Sequence, residues 1–209
     1  MTLLLLVRHG ENNYSKTGRF AGRLPGVHLN ERGQAQAGQL SESFAQVPLK
    51  AIYSSPLERA METAAPIARV RKLEVQVEPG LLEADIGKWQ GLSIGRVART
   101  RPWRAVQQAP SRAGHPGGET FQQTQTRVVT ALEAILTRHK PQEIIACVFH
   151  ADPIKLAVAH YIGLPLDNFQ RLACDTGSVT LLSIHEMGAF LIWLNRRPPF
   201  ELQLPGRKK

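Results

Sequence analysis

Apolar and polar positions alternate along this chain between two spacings. Short apolar-rich runs at Leu3–Val7, Ala51–Tyr53, Glu74–Val77, Glu143–Phe149, Ser178–Ser183 and Ala189–Leu194 have strand length and predict strands. Between them lie stretches with helical spacing. Asn30 can cap a helix from about Glu31 to Ala45, with Ala37, Leu40 and Phe44 on one face. Ser55-Pro56 opens a helix from Leu57 to about Arg69, which Pro66 is expected to kink. Phe121, Val128, Leu132 and Ile135 mark a helix within 119–138, and Pro153 opens another that Gly163 stops. Strand–helix alternation predicts a mainly parallel sheet with helices on both faces. The last two strands, joined by residues 185–188, read as a hairpin, which makes one strand antiparallel. The expected fold is therefore α/β: a three-layer α/β/α sandwich around a mostly parallel, doubly wound sheet with one antiparallel strand. A single domain is expected over 1–209, with an irregular flap at about 92–118 and a tail at about 196–209.

Composition narrows this picture. With 209 residues, 43% hydrophobic and 21% charged, the chain is globular and long enough for one sizeable core. No apolar run approaches a membrane span, and the start lacks the basic opening of a signal peptide, so no membrane partner is expected. Cys147 and Cys174 are too far apart for a metal-binding spacing and read as core residues in a reducing cytoplasm. Lys and Arg number 26 against 17 Asp and Glu, a net charge of +9. That balance favours anionic partners such as phosphorylated metabolites or nucleic acid, although no nucleic-acid motif is recognisable. Basic clusters at 69–72, 96–104 and 207–209 read either as a solvated surface or as facing an anionic partner, and Arg96, Arg99, Arg101 and Arg104 could also meet a substrate's distal part.

Four segments place ionisable residues at strand ends or helix starts, where open α/β sheets bind ligands. They carry Arg8-His9-Gly10-Glu11, Ser54-Ser55-Pro56-Leu57-Glu58-Arg59, Glu83 with Gly87-Lys88-Trp89-Gln90-Gly91, and Phe149-His150-Ala151-Asp152-Pro153. Two Arg, two His and a helix N-terminus suit a tetrahedral dianion. An imidazole nitrogen can attack phosphorus to give a covalent intermediate, and Glu83 could supply the leaving alkoxide's proton.

Taken in order, these segments resemble the histidine phosphatase (phosphoglycerate mutase-like) superfamily over about Leu3 to Leu194. The resemblance assigns the nucleophile to His9, the phosphate pocket to Arg8, Arg59 and His150, and the proton donor to Glu83. It implies no metal and no organic cofactor. Gly18-Arg19-Phe20-Ala21-Gly22 resembles the family's phosphate-lining segment, so Gly22 is expected to add a backbone contact. Pro116-Gly117-Gly118-Glu119-Thr120 resembles its turn before the long helix. The chain departs from the family pattern at Phe149 and Ala151, where Ser and Gly are common around the His. It departs again at Asn12, which stands for Thr or Ser beside the phosphate. The glycolytic mutases are longer, so the chain looks more like the small phosphatases. The run Trp103 to Gly118 most resembles the bacterial phosphomutase-type branch.

The expected function is metal-independent hydrolysis of a small phosphorylated metabolite through a phosphohistidine. A phosphomutase is one alternative, and a catalytically weak phosphate- or nucleic-acid-binding module is another. His28 and His115 lie in loops that can overhang the pocket; His139, His160 and His185 read as structural. The terminal hairpin offers an edge at which a second copy could pair, so a homodimer is an open expectation.

Overall fold

The computed structural model describes residues 1–202. Six strands form one sheet: β1 (Thr2–Arg8), β2 (Leu49–Ser54), β3 (Val75–Val77), β4 (Ile144–Phe149), β5 (Val179–His185) and β6 (Gly188–Arg196), in the order β3-β2-β4-β1-β5-β6. β3, β2, β4 and β1 run parallel, and β5 is antiparallel to both β1 and β6. The expected sheet with a single reversed strand is therefore present. The helices are α1 (Asn13–Lys16), α2 (Glu31–Phe44), α3 (Glu58–Arg71), α4 (Ile94–Val97), α5 (Arg101–Gln108), α6 (Phe121–Leu136) and α7 (Ala151–Tyr161).

The layers follow from the two-residue period of β1. Leu3, Leu5 and Val7 pack with Leu40 and Phe44 of α2 and Ala60, Ala64 and Ile67 of α3. Leu4 and Leu6 face the opposite way, onto Val128, Leu132 and Ile135 of α6 and Ile154, Ala157 and Val158 of α7. All five are buried. A strand covered on both faces needs an apolar residue at every position, which the run Leu3–Val7 supplies.

The helix expected from Leu57 to about Arg69 is present as α3 and is continuous through Pro66. Ala60, Ala64, Ile67 and Ala68 are buried against α2 and the sheet, and Ser41 Oγ donates to the Pro66 carbonyl, so packing offsets the hydrogen bond that proline removes. The segment 92–118 is not irregular. It contains α4 and α5, and Val97 and Val106 join Ile86, Trp89, Phe121, Leu156 and Phe169 in a third apolar cluster. Thr100 caps α5, with Pro in the first turn. Trp89 and Trp103 pack against Phe20 and each other, as structural residues. Of the expected tail, residues 203–209, including the basic end, lie outside the described residues. Among the described residues no helix is long and apolar enough to cross a membrane.

Candidate active site

β1 ends by delivering Arg8 and His9 to the carboxyl edge of the sheet, beside the end of β4. The turn that follows is tight. A Cβ on Gly10 would lie 2.6 Å from the Gly33 carbonyl oxygen of α2, so glycine is required where these backbones meet. Gly10 N–H donates to Thr63 Oγ1 (3.0 Å), and that hydroxyl donates to the Arg59 carbonyl (2.7 Å). Thr63 therefore ties the loop carrying His9 to the helix carrying Arg59. It lies one helical turn beyond Arg59, on the same face of α3.

His9 Nδ1 faces the Gly10 carbonyl at 2.7 Å. A carbonyl only accepts, so Nδ1 carries the proton and the neutral ring keeps its lone pair on Nε2. Burial, followed by the charges of Arg59 and Arg8, holds the His9 pKa well below the ordinary histidine value. The same causes depress His150, whose ring lies 5.2 Å from that of His9. Ser55 Oγ is 2.9 Å from His150 Nε2, while His150 Nδ1 is buried without a partner. Ser55, at the end of β2, reads in sequence as part of a helix start; its contact with His150 shows only in three dimensions.

Arg59 is 1% exposed. Its Nε lies 3.3 Å from His9 Nε2, its Nη2 donates to the Gly22 carbonyl at 2.7 Å, and its Nη1 is buried without a partner. Arg8 donates from Nη1 to the Cys174 carbonyl (2.6 Å), and its Nε is also buried and unpartnered. Among the described residues neither arginine makes a salt bridge: Glu11 pairs with Arg32, and Glu58 accepts from the Gly26 N–H. Two partly or fully buried cations with no salt-bridge partner and with open donors are costly, and an anion bound between them relieves that cost.

Arg8, His9, Asn12, Gly22, Arg59 and Glu83 all line one cavity of about 300 Å³. His150 does not line the cavity; it is buried, with its ring edge-on to that of His9. Gly22 has φ +53°, and its carbonyl is taken by Arg59. Asn12 is more constrained than its expected phosphate contact implies: Oδ1 caps α1 through the Ser15 N–H, so its amide group alone can serve a ligand. Phe149 packs among Leu6, Tyr53 and Leu182 in the core and does not line the cavity. Ala151 begins α7 in ordinary helical conformation, with His150 as the cap residue, so no glycine is needed there. Both departures from the family pattern are thus accommodated. The N-terminus of α7 opens at the site, as the sequence implies.

Glu83 is enclosed. Burial first, then the charge of Asp152, pushes its pKa up to about 7, where it can hold a proton near neutrality. Its backbone is anchored from behind: Arg127 Nη2 and Arg23 Nε both donate to the Glu83 carbonyl, at 3.3 and 2.8 Å. Both arginines also pair with Glu119. A Cβ on Gly118 would lie 2.2 Å from the Asp85 carbonyl oxygen, which explains the glycine before Glu119.

A family model for the histidine phosphatase superfamily (branch 1) matches residues 4–197. The chain belongs to the histidine phosphatase superfamily. It is 33% identical over 197 residues to phosphoserine phosphatase 1 of Hydrogenobacter thermophilus, a match spanning 93% of this chain and 92% of that protein. It is similar in structure to a mycobacterial glucosyl-3-phosphoglycerate phosphatase, with a TM-score of 0.84 and 26% identity over 92% of this chain and 98% of that one. It is also similar to the alpha-ribazole phosphatase of Shigella flexneri, with a TM-score of 0.82 and 29% identity over 93% and 96%.

Within this histidine phosphatase fold, some residues that line the cavity carry no functional assignment from sequence. Asp152 enters it from the first turn of α7, and His115 from the loop before α6. His28 does not line it and pairs with Glu62. Arg96, Arg99, Arg101 and Arg104 are exposed and outside it, a solvated face. Among the described residues no three His, Cys, Asp or Glu side chains gather as a metal site.

Proposed function

We propose that the protein hydrolyses a small phosphomonoester through a phosphohistidine at His9. The observation that carries this reading is the pair of arginines with unpartnered buried donors beside a neutral imidazole whose free nitrogen faces Arg59. Arg8, Arg59, His150 and the α7 N-terminus bind the phosphoryl oxygens. His9 Nε2 attacks phosphorus; the N–P bond forms as the ester O–P bond breaks. Glu83 gives its proton to the departing alkoxide. A water then attacks the phosphohistidine, its proton passes to the Glu83 carboxylate, and phosphate leaves with His9 restored. Charge stabilisation and positioning carry most of the acceleration in such a transfer. The modest cavity favours a metabolite over a macromolecule. The two free cysteines fit a reducing cytoplasm.

The test is hydrolysis of p-nitrophenyl phosphate in EDTA by the wild-type protein and by His9→Ala. Turnover that survives EDTA and disappears in the variant is expected, with acid-labile phosphate trapped on the wild-type protein alone. Equal turnover by His9→Ala would remove the nucleophile, and isomerisation of a primed phosphoglycerate in place of hydrolysis would favour a mutase.

A further inference from the structure

The cavity holds charges of both signs. Beyond Arg8 and Arg59, its wall carries Glu83, Asp152 and His115. Asp152 is fixed by an ion pair to Lys155 one turn along α7, at 2.8 Å. Although burial opposes ionisation, the charge and hydrogen bond of Lys155 keep the Asp152 carboxyl below the usual range, so it is a carboxylate. Lys155 does not line the cavity; it packs over the Phe169 ring. The nearby cations are turned away as well. Arg19 lines the cavity but bonds the Gly91 carbonyl through Nε and Nη2, and Arg23 and Arg127 are engaged by Glu119 and the Glu83 carbonyl.

His115 adds a second polar group. Its Nδ1 donates to the Glu119 carbonyl at 2.9 Å, which leaves Nε2 to meet a ligand. Nε2 has no hydrogen-bond partner among the described residues. The ring is held edge-on between Trp89 and Phe121, so its orientation is set by packing. Once Glu83 has spent its proton on the ester oxygen, this part of the cavity offers acceptors and negative charge.

We propose that Asp152 and His115 form a leaving-group subsite selecting phosphomonoesters whose alcohol bears hydroxyl or ammonium donors, and rejecting those that bear a carboxylate or second phosphate. This rests on the phosphatase reading above and extends it to substrate class. The Asp152 carboxylate and His115 Nε2 can meet polar groups on the alcohol, whereas a second anion meets the charge of Asp152.

The test compares three small esters: glycerol 3-phosphate with hydroxyls, phosphoethanolamine with an ammonium, and 3-phosphoglycerate with a carboxylate. Wild-type kcat/KM is expected to be at least tenfold higher for the first two than for 3-phosphoglycerate. In Asp152→Asn that ratio should fall toward one, and a larger loss on phosphoethanolamine than on glycerol 3-phosphate identifies the ammonium as the preferred donor. Because the substitution strands Lys155, the double variant Asp152→Asn/Lys155→Met is measured alongside and should show the same narrowing. Calorimetric binding of the three esters to His9→Ala reads the same order without turnover. If the wild-type protein itself shows no turnover, the same binding order would uphold the subsite while removing the phosphatase reading. A wild-type preference for 3-phosphoglycerate, an unchanged ratio in both variants, or equal binding of all three esters overturns the subsite.

Discussion

Glu119→Gln probes the scaffold behind the proton donor. Glu119 accepts from the Asp85 N–H (3.0 Å), Thr124 Oγ1 (3.0 Å) and Arg127 Nε and Nη2 (2.9 Å each), and forms an ion pair with Arg23 Nη2 at 3.0 Å. Burial alone would raise its pKa; hydrogen bonds from Arg127 and Asp85, with the charges of Arg127 and Arg23, bring it down to about 2 from a reference of 4.5. At about 1.36 kcal/mol per pKa unit, that depression corresponds to roughly 3 kcal/mol of stability held by the ionised form. Because the folded pKa lies below the unfolded one, the contribution is complete above the unfolded value. It is lost as pH falls toward 2, with about 2 kcal/mol gone by pH 3. Urea unfolding at pH 7 and pH 3 measures it. Glu119→Gln should unfold about 2–3 kcal/mol more easily at pH 7, and its loss between the two pH values should be smaller than the wild type's by about 2 kcal/mol. The comparison between proteins cancels the other carboxylates that titrate in this window. The folded variant should also hydrolyse alkyl phosphates more slowly while keeping most of its p-nitrophenyl phosphate activity, since Arg127 and Arg23 no longer fix Glu83. A pH dependence identical to the wild type's, or a cost under about 0.5 kcal/mol, would refute the network as a source of stability.

Two further outcomes follow from the cavity. Arg59→Met should lower kcat/KM by about 10²–10³ through lost charge stabilisation. Inorganic phosphate at 100 times its Kd should stabilise the wild type by about 2.7 kcal/mol; a melting-temperature shift of equal size in the variant would place the phosphate elsewhere. The acid form of Glu83 is the active one and burial with Asp152 extends it up to about 7, so alkyl phosphate kcat/KM should fall as pH rises through that value. Glu83→Gln should abolish this limb and slow alkyl phosphates by about 10²–10⁴; a limb that persists in the variant would assign the titration to another group.

The centre of the sheet was legible because β1 and β4 are buried on both faces. Leu3–Val7 and Glu143–Phe149 therefore read as continuous apolar runs, and their ends mark where chemistry can sit. Arg8, His9 and His150 lie at those ends and Arg59 in the first turn of the helix after β2, so local order along the chain places all four at one edge of the sheet. α5 was less visible, because its apolar face is narrow and is buried by residues distant in sequence, among them Phe169. Continuity through Pro66 likewise depended on α2 covering that helix. Tertiary structure alone decided the protonation of the site. Burial makes both histidines neutral, Gly10 fixes which His9 nitrogen is free, and Asp152 raises Glu83. Arg127 and Arg23 show no motif; they matter because α6 and the loop before α2 converge on one carbonyl. Sequence spacing fixes which residues share an edge or a face. Desolvation and through-space charge, which set what those residues can do, exist only once the chain has closed around them.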